Sequence, residues 1–230
     1  MVVEPFASTT DRLIVAAEPR SLAYEEVQAL TKKGFFVCIE GLDKSGKTSQ
    51  SILLVQALSK KGYDTVYTTE PSRGEIGTFI RKYVLHRRER VPAVVEALLF
   101  AADRAEHTEA EVKPLLKEGK IVVSDRYVYS SLAYQGAAEL DISWIAEINK
   151  PALEPDLAIY LDVPLEVVFK RCRHGKSVME RPEVQRRVQE VYQRLVREGK
   201  MIAVDGTRPV EMVANHIETL VLDKLKHQTA

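Results

Sequence analysis

The chain has 230 residues, 45% of them hydrophobic, and carries 33 acidic and 33 basic side chains. That is enough for one full core with small insertions, and the even charge gives no reason to expect a general polyanion binder. Two cysteines, Cys38 and Cys172, rule out a disulfide framework, and neither they nor the five scattered histidines have metal-ligand spacing. No apolar run reaches the roughly 18 residues of a membrane span. The N-terminal stretch holds Glu4, Asp11 and Glu18 and lacks a basic start followed by a long apolar segment, so a cytoplasmic location is expected.

In chain order, residues 1–33 form an extension before the first strand. Within it, "SLAYEEVQALTKKG" reads as a short helix with Ser21 as N-cap and Gly34 as stop. The first strand is "FFVCIE" (35–40), where Cys38 reads as a buried free thiol. A helix is expected over 47–61, with Ile52, Leu53, Val55 and Leu58 on a broad apolar face. Strand "YDTVYT" (63–68) precedes a long helix over 91–117 and strand "KIVVSD" (120–125). Strand "LAIYLDV" (157–163), a short helix over 165–172, a highly charged helix over 182–199 and strand "MIAVD" (201–205) follow. The last helix, 210–225, starts after Pro209 and carries a stripe of Val213, Ile217, Leu220 and Leu225. Most of these strands are continuously apolar, as suits strands buried on both faces of a parallel sheet. Alternation with helices implies right-handed crossovers, hence an α/β fold of three layers with a five-stranded parallel sheet flanked by helices.

Residues Gly41-Leu42-Asp43-Lys44-Ser45-Gly46-Lys47-Thr48 fit the phosphate-cradle pattern G-x-x-x-x-G-K-[ST] in full. Each residue type has a reason. Gly41 and Gly46 let the backbone curl so that successive N–H groups face an anion. The helix that begins near Lys47 adds its positive end. Lys47 can reach the β- and γ-phosphates of a nucleotide, and the Thr48 hydroxyl can ligate Mg²⁺. The competing reading is a plain glycine turn. At ordinary glycine frequency a chance match is on the order of one in a hundred, and the preceding strand and following helix favour the cradle. Asp125, at the end of "KIVVSD", is placed to hold Mg²⁺, or else to cap a helix. A P-loop NTPase fold does not by itself name an activity. A GTPase base reader is missing, since Asn149-Lys150 is followed by Pro151-Ala152.

Further segments supply a resemblance. "TTEPSRGEIG" (68–77), "LLFAADRAEH" (98–107), "SDRYVYSSLAYQG" (124–136) and "LAIYLDVPLEVVFKR" (157–171) follow the P-loop in this order. Together they resemble thymidylate kinase, from about Phe35 to about Ile217, with the extension outside. The resemblance implies transfer of the γ-phosphoryl of ATP to dTMP, Mg²⁺ as cofactor, a homodimer with helices packed across its interface, and no nucleic-acid polymer or membrane as partner. The domain would run over 34–230, with a lid at about 171–184.

By the same resemblance, Phe100 stacks on thymine, against the alternative of a core Phe. Arg104, one helical turn on, hydrogen-bonds a thymine carbonyl, against the alternative of a surface Arg. Ser131 lies against the base, Tyr134 fills the space of a ribose 2′-hydroxyl, and Gln135 touches the acceptor. Arg126 spans donor and acceptor phosphates, and Asp43 contacts the sugar 3′-hydroxyl. The second-strand motif departs from the family's Arg-Glu-Pro-Gly-Gly: here it is Thr69-Glu70-Pro71-Ser72-Arg73-Gly74, and Arg73 is carried over as the dTMP phosphate contact. The family takes its catalytic cation from either the P-loop or the lid. Lys44 supplies the first. Arg171, Arg173, Lys176 and Arg181 are candidates for the second, with Arg181 in Glu-Arg-Pro-Glu the best match. Arg208, or backbone groups in "DGTRPVE", would pass beside adenine, although Thr207-Arg-Pro also reads as a helix start. Rival readings are a kinase of another nucleotide or deoxynucleoside, and a non-catalytic nucleotide-binding regulator.

Overall fold

In chain order the described elements begin with β1 (Phe35–Gly41), α1 (Lys47–Lys60), β2 (Thr65–Thr69), α2 (Glu75–Ile80), α3 (Ala93–His107), α4 (Lys113–Lys117) and β3 (Ile121–Asp125). Then come α5 (Val128–Gly136), α6 (Ile142–Ile148), β4 (Leu157–Asp162), α7 (Leu165–Arg171), α8 (Pro182–Arg197), β5 (Ile202–Asp205) and α9 (Val210–Gln228). This computed structural model describes residues 34–85, 90–171 and 181–228. The expected helix of the extension, together with Cys172, Arg173 and Lys176, lies outside the described residues. Among the described residues no helix is long and apolar enough to cross a membrane.

Every residue of β1 is buried, because the strand feeds two layers at once. Side chains alternate across a strand. Phe35, Val37 and Ile39 pack with Leu54 and Leu58 of α1 and with Val213, Ile217 and Leu225 of α9. Phe36 and Cys38 point the other way, toward Leu132 and Ala133 of α5 and Val188, Tyr192 and Leu195 of α8. Cys38 is buried and free, as expected. The sheet order is β2-β3-β1-β4-β5, with every neighbouring pair parallel. The five strands and the parallel three-layer reading therefore stand.

Three helices, α2, α5 and α6, were not anticipated. The sequence of α5, "VYSSLAYQG", has only modest helix propensity. Its N-terminus is closed by a distant side chain: the Glu40 carboxylate accepts from Tyr127 N at 2.8 Å and Ser130 N at 3.1 Å. A cap nearly ninety residues away leaves no local signal. The expected long helix 91–117 is present as α3 and α4 joined through a π-turn at Thr108–Val112. One core assignment changes. Ile52 is exposed, and the buried stripe of α1 is Ser51, Leu54 and Leu58. Three- and four-residue steps put these on one face, whereas Ile52 falls about 100° round from Ser51.

Candidate active site

The register of the sheet builds the site. Ile39 of β1 and Thr69 of β2 both pair with Asp125 of β3. The ends of three strands are thus level, and the loops beyond them converge. Arg126 N donates to Ile39 O at 3.0 Å, and Glu70 N to Asp125 O at 3.0 Å. In open parallel sheets this carboxyl edge is where ligands bind.

The cradle curls as its residue types require. Gly41 has φ +150°, and a Cβ there would lie 2.8 Å from Ser45 Oγ and 3.1 Å from Leu161 O. Gly46, at φ +106°, precedes α1. The first turn of α1 carries no acidic side chain, so its positive end is left uncompensated. Lys44 and Arg126, both non-glycine, sit at φ 64° and 73°. Strained backbone of this kind concentrates at functional sites.

A cavity of about 420 Å³ opens here, lined by Asp43, Lys44, Gly46, Lys47, Thr48, Ser49, Asp125, Arg126 and Arg171. Four cationic side chains face two carboxylates, so the cavity suits a polyanion. Lys47 is buried and its Nζ donates to Leu42 O at 2.7 Å. Burial and then Arg126 push its pKa down to about 8, against the opposing pull of Asp43, Asp125 and Glu40. An added anion would relieve both effects. Thr48 Oγ1 donates to Asp125 Oδ2 at 2.5 Å, while Asp125 Oδ1 is buried with no hydrogen-bond partner.

Beside this cavity, Arg126 joins the second set of expected residues. It pairs with Asp43, donates to Ser130 Oγ at 3.1 Å, and lies 5.2 Å from the Tyr134 ring centroid. Burial raises the Asp43 pKa, but Arg126 and Lys47 outweigh it and hold the carboxyl below its ordinary range. Burial, then the Asp43 charge, pushes the Tyr134 phenol up. Ser131, Tyr134 and Gln135 are all buried on α5. Phe100 is half-buried and belongs to neither core cluster, so the core-Phe alternative falls away. Arg104 is 1% exposed, which excludes a surface Arg.

Several expected residues do not line this cavity: Phe100 and Arg104 stay on α3, Ser131, Tyr134 and Gln135 on α5, and Arg181, Arg208 and Arg73 lie outside it as well. Arg181 is exposed at the N-cap of α8. Arg171, at the end of α7, does line the cavity, and its Nη1 donates to Ser45 O at 3.1 Å and Lys44 O at 3.4 Å. Arg208 is exposed and bonds Asp205 at 3.2 Å, closing the turn before α9, which favours the helix-start reading. Arg73 is exposed and does not line the cavity.

Three buried carboxylates that sequence reasoning missed hold the site together. Glu40 binds Tyr127 N, Ser130 and the Tyr192 hydroxyl of α8, at 2.6–3.1 Å. Burial keeps its pKa raised despite these bonds. Glu96 of α3 takes Arg90 through both oxygens, at 2.9 and 2.7 Å, and Gln135 Nε2 at 2.7 Å. Glu70 takes Arg104 and His107. For Glu40 a signal existed: a carboxylate closing an otherwise apolar strand must be either a site residue or a satisfied buried acceptor. Gln185 of α8, which donates to Asp43 Oδ2 at 3.4 Å, carried no such signal.

Comparison with known proteins agrees with this geometry. The profile of the family described as "Thymidylate kinase" matches residues 39–217. The "Probable thymidylate kinase" of Thermococcus onnurineus (strain NA1) is 44% identical over 202 residues, covering 83% of this chain and 98% of the relative. That of Pyrococcus horikoshii is 40% identical over 201 residues, covering 84% and 98%. The "Thymidylate kinase" of Clavibacter michiganensis subsp. michiganensis is 39% identical over 197 residues, covering 81% and 93%. With a matching profile across the site-bearing strands and relatives aligned over nearly their whole length, the chain belongs to the thymidylate kinase family.

Proposed function

We propose that this chain transfers the γ-phosphoryl group of ATP to dTMP, giving dTDP and ADP, with the cavity at the ends of β1 and β3 as the reaction site. The observation that carries this reading is the contact of two residue sets. The cradle residues Lys47 and Thr48 share one cavity with Asp43 and Arg126, and Arg126 packs on Tyr134. The acceptor phosphate oxygen attacks the γ-phosphorus, and the bond to the β–γ bridging oxygen breaks. The transition state is loose and spreads charge over the equatorial oxygens, so positioning and cations do the work. Lys47 and the cradle N–H groups hold the donor. Arg126 neutralises charge between the two phosphates, and its fork is aimed by Asp43 and Ser130. Lys44 and Arg171 add positive charge from the two sides of the P-loop. Phe100, Arg104 and Ser131 face the base, Tyr134 and Asp43 the sugar. Arg73, exposed and outside the cavity as it stands, would reach the acceptor phosphate only by moving toward it.

Thr48 and Asp125 fit Mg²⁺. A buried carboxylate oxygen without a partner, beside a hydroxyl, is a hard-oxygen donor pair of the kind this ion takes. When bound, the ion neutralises charge on the β- and γ-phosphate oxygens.

Coupled ATP consumption with dTMP, dUMP, dCMP and thymidine tests the acceptor. Turnover is expected to be best with dTMP, and a better acceptor among the others contradicts the reading. Tyr134→Ala is expected to narrow the preference for deoxyribose over ribose by about tenfold, the size of one lost steric contact. It is measured as kcat/KM for dTMP against its ribonucleotide counterpart.

We also assign a homodimer in the cytoplasm. Phe79 of α2, Tyr83 just beyond it, and Val94, Val95 and Leu98 of α3 are each 45–48% exposed, large apolar side chains of the kind that pair between copies. Light scattering is expected to give twice the 25.9 kDa chain mass, and a mass of 25.9 kDa contradicts the assignment.

A further inference from the structure

Arg104 enters the site with its hydrogen-bonding already arranged. A guanidinium has five N–H donors. Nε and Nη2 donate to Glu70 Oε2 at 2.9 and 2.6 Å, and Nη2 also to Tyr127 O at 3.1 Å. Nη1 donates to Ser131 Oγ at 3.0 Å and Asn149 Oδ1 at 2.5 Å. All five are therefore taken by the protein. The Asn149 amide cannot turn freely, because Nδ2 donates to Ile145 O at 2.8 Å. Glu70 thus clamps one edge of the guanidinium. At the Nη1 corner the Ser131 hydroxyl, a neutral partner, is the one that a base carbonyl can replace.

Glu70 is itself held. Its Oε1 is 3.2 Å from His107 Nδ1, and His107 Nε2 is 2.7 Å from Thr68 Oγ1 and 3.8 Å from Glu111. Burial works against a charged His107, but Glu70, Glu111 and Asp103 hold its pKa above the ordinary value. One helical turn back along α3, Asp103 binds Ser72 N and Oγ at 2.8 and 2.6 Å. The loop carrying Arg73 is therefore fastened to the helix carrying Phe100 and Arg104.

We propose that Glu70 is a positioning residue for base recognition: it clamps the Nε–Nη2 edge of Arg104 so that the Nη1 corner meets the base, and His107 orients Glu70. The inference rests on the reading that Arg104 contacts thymine. A base with a carbonyl at C4 accepts from this corner, whereas one with an amino group there donates and is rejected.

The test is steady-state kinetics of Glu70→Gln, His107→Gln and Arg104→Gln with dTMP and dCMP, each variant checked for folding by its melting curve. Glu70→Gln keeps the shape but weakens the charge-assisted bonds. Its KM for dTMP is expected to rise about tenfold or more, with the dTMP-over-dCMP preference narrowed by a similar factor. Its KM for ATP is expected to stay within about twofold, and kcat within about threefold, of wild type. His107→Gln is expected to move the same two readouts in the same direction by less. Unchanged base preference in Glu70→Gln, or equal losses for ATP and dTMP, overturns the proposal and leaves Glu70 a structural residue. Should Glu70→Gln fail to fold, His107→Gln decides alone, and an unchanged base preference there overturns the proposal. Arg104→Gln separates the two levels. If it leaves dTMP binding and base preference unaltered, the reading of Arg104 itself fails. If it raises KM for dTMP while Glu70→Gln does not, only the positioning role fails.

Discussion

Lys47→Ala is expected to lower kcat by about 10²-fold or more, a loss of about 2.7 kcal/mol of transition-state stabilisation. The reason is its placement. The Lys47 side chain is buried, its ammonium is tied to Leu42 O, and it shares the cavity with Thr48 and Asp125. Holding that charge in the cradle is costly before the donor binds, as its pKa of about 8 shows. Binding a phosphate favours the charged form. The affinity of the wild type for ATP is therefore expected to weaken as pH rises above that value, where the free enzyme has lost the proton that the complex keeps. Lys47→Ala is expected to lose this dependence. ATP titrations of both proteins across pH check the point, and a wild-type rate in the variant contradicts the role.

Arg126→Ala is expected to cost about 10²–10³-fold in kcat, through loss of a cation aimed at the transferring group. Three constraints aim it. Its backbone sits at φ 73° and is anchored on Ile39 O, its guanidinium is held by Asp43 and Ser130, and Glu40 fixes the turn that follows. Arg126→Lys keeps the charge but not the planar fork, so it is expected to recover only part of the loss. Steady-state kinetics of the two variants, with melting curves to confirm folding, check this. Full recovery by lysine would reduce Arg126 to a point charge.

Much of the fold and of the cradle was legible because local sequence expressed it. Continuously apolar strands read as a parallel sheet, since each strand of the centre is covered on both faces. The P-loop read directly, because backbone curvature, helix start and cation all lie within eight residues. The acceptor roles proposed for Phe100, Arg104, Ser131 and Tyr134 rest on resemblance, and burial bears only on two of the competing readings, a core Phe100 and a surface Arg104. What was not legible depends on distant partners. Glu40 capping α5, Glu96 bridging Arg90 and Gln135, and Glu70 clamping Arg104 are each set by tertiary contacts. Among the lid cations the sequence offered several arginines of equal chemistry. In the fold Arg171, at the end of α7, reaches the P-loop carbonyls, whereas Arg181 is exposed at the start of α8.

The central claim is that one cavity joins donor and acceptor so that phosphoryl passes directly between them. ATP labelled at the γ-phosphorus, mixed with dTMP, Mg²⁺ and the full chain, tests this most directly. The expected result is label in the β-phosphate of dTDP, one for each ADP formed, with none retained on the protein. ATP binding without transfer, or label released only as inorganic phosphate, would contradict it.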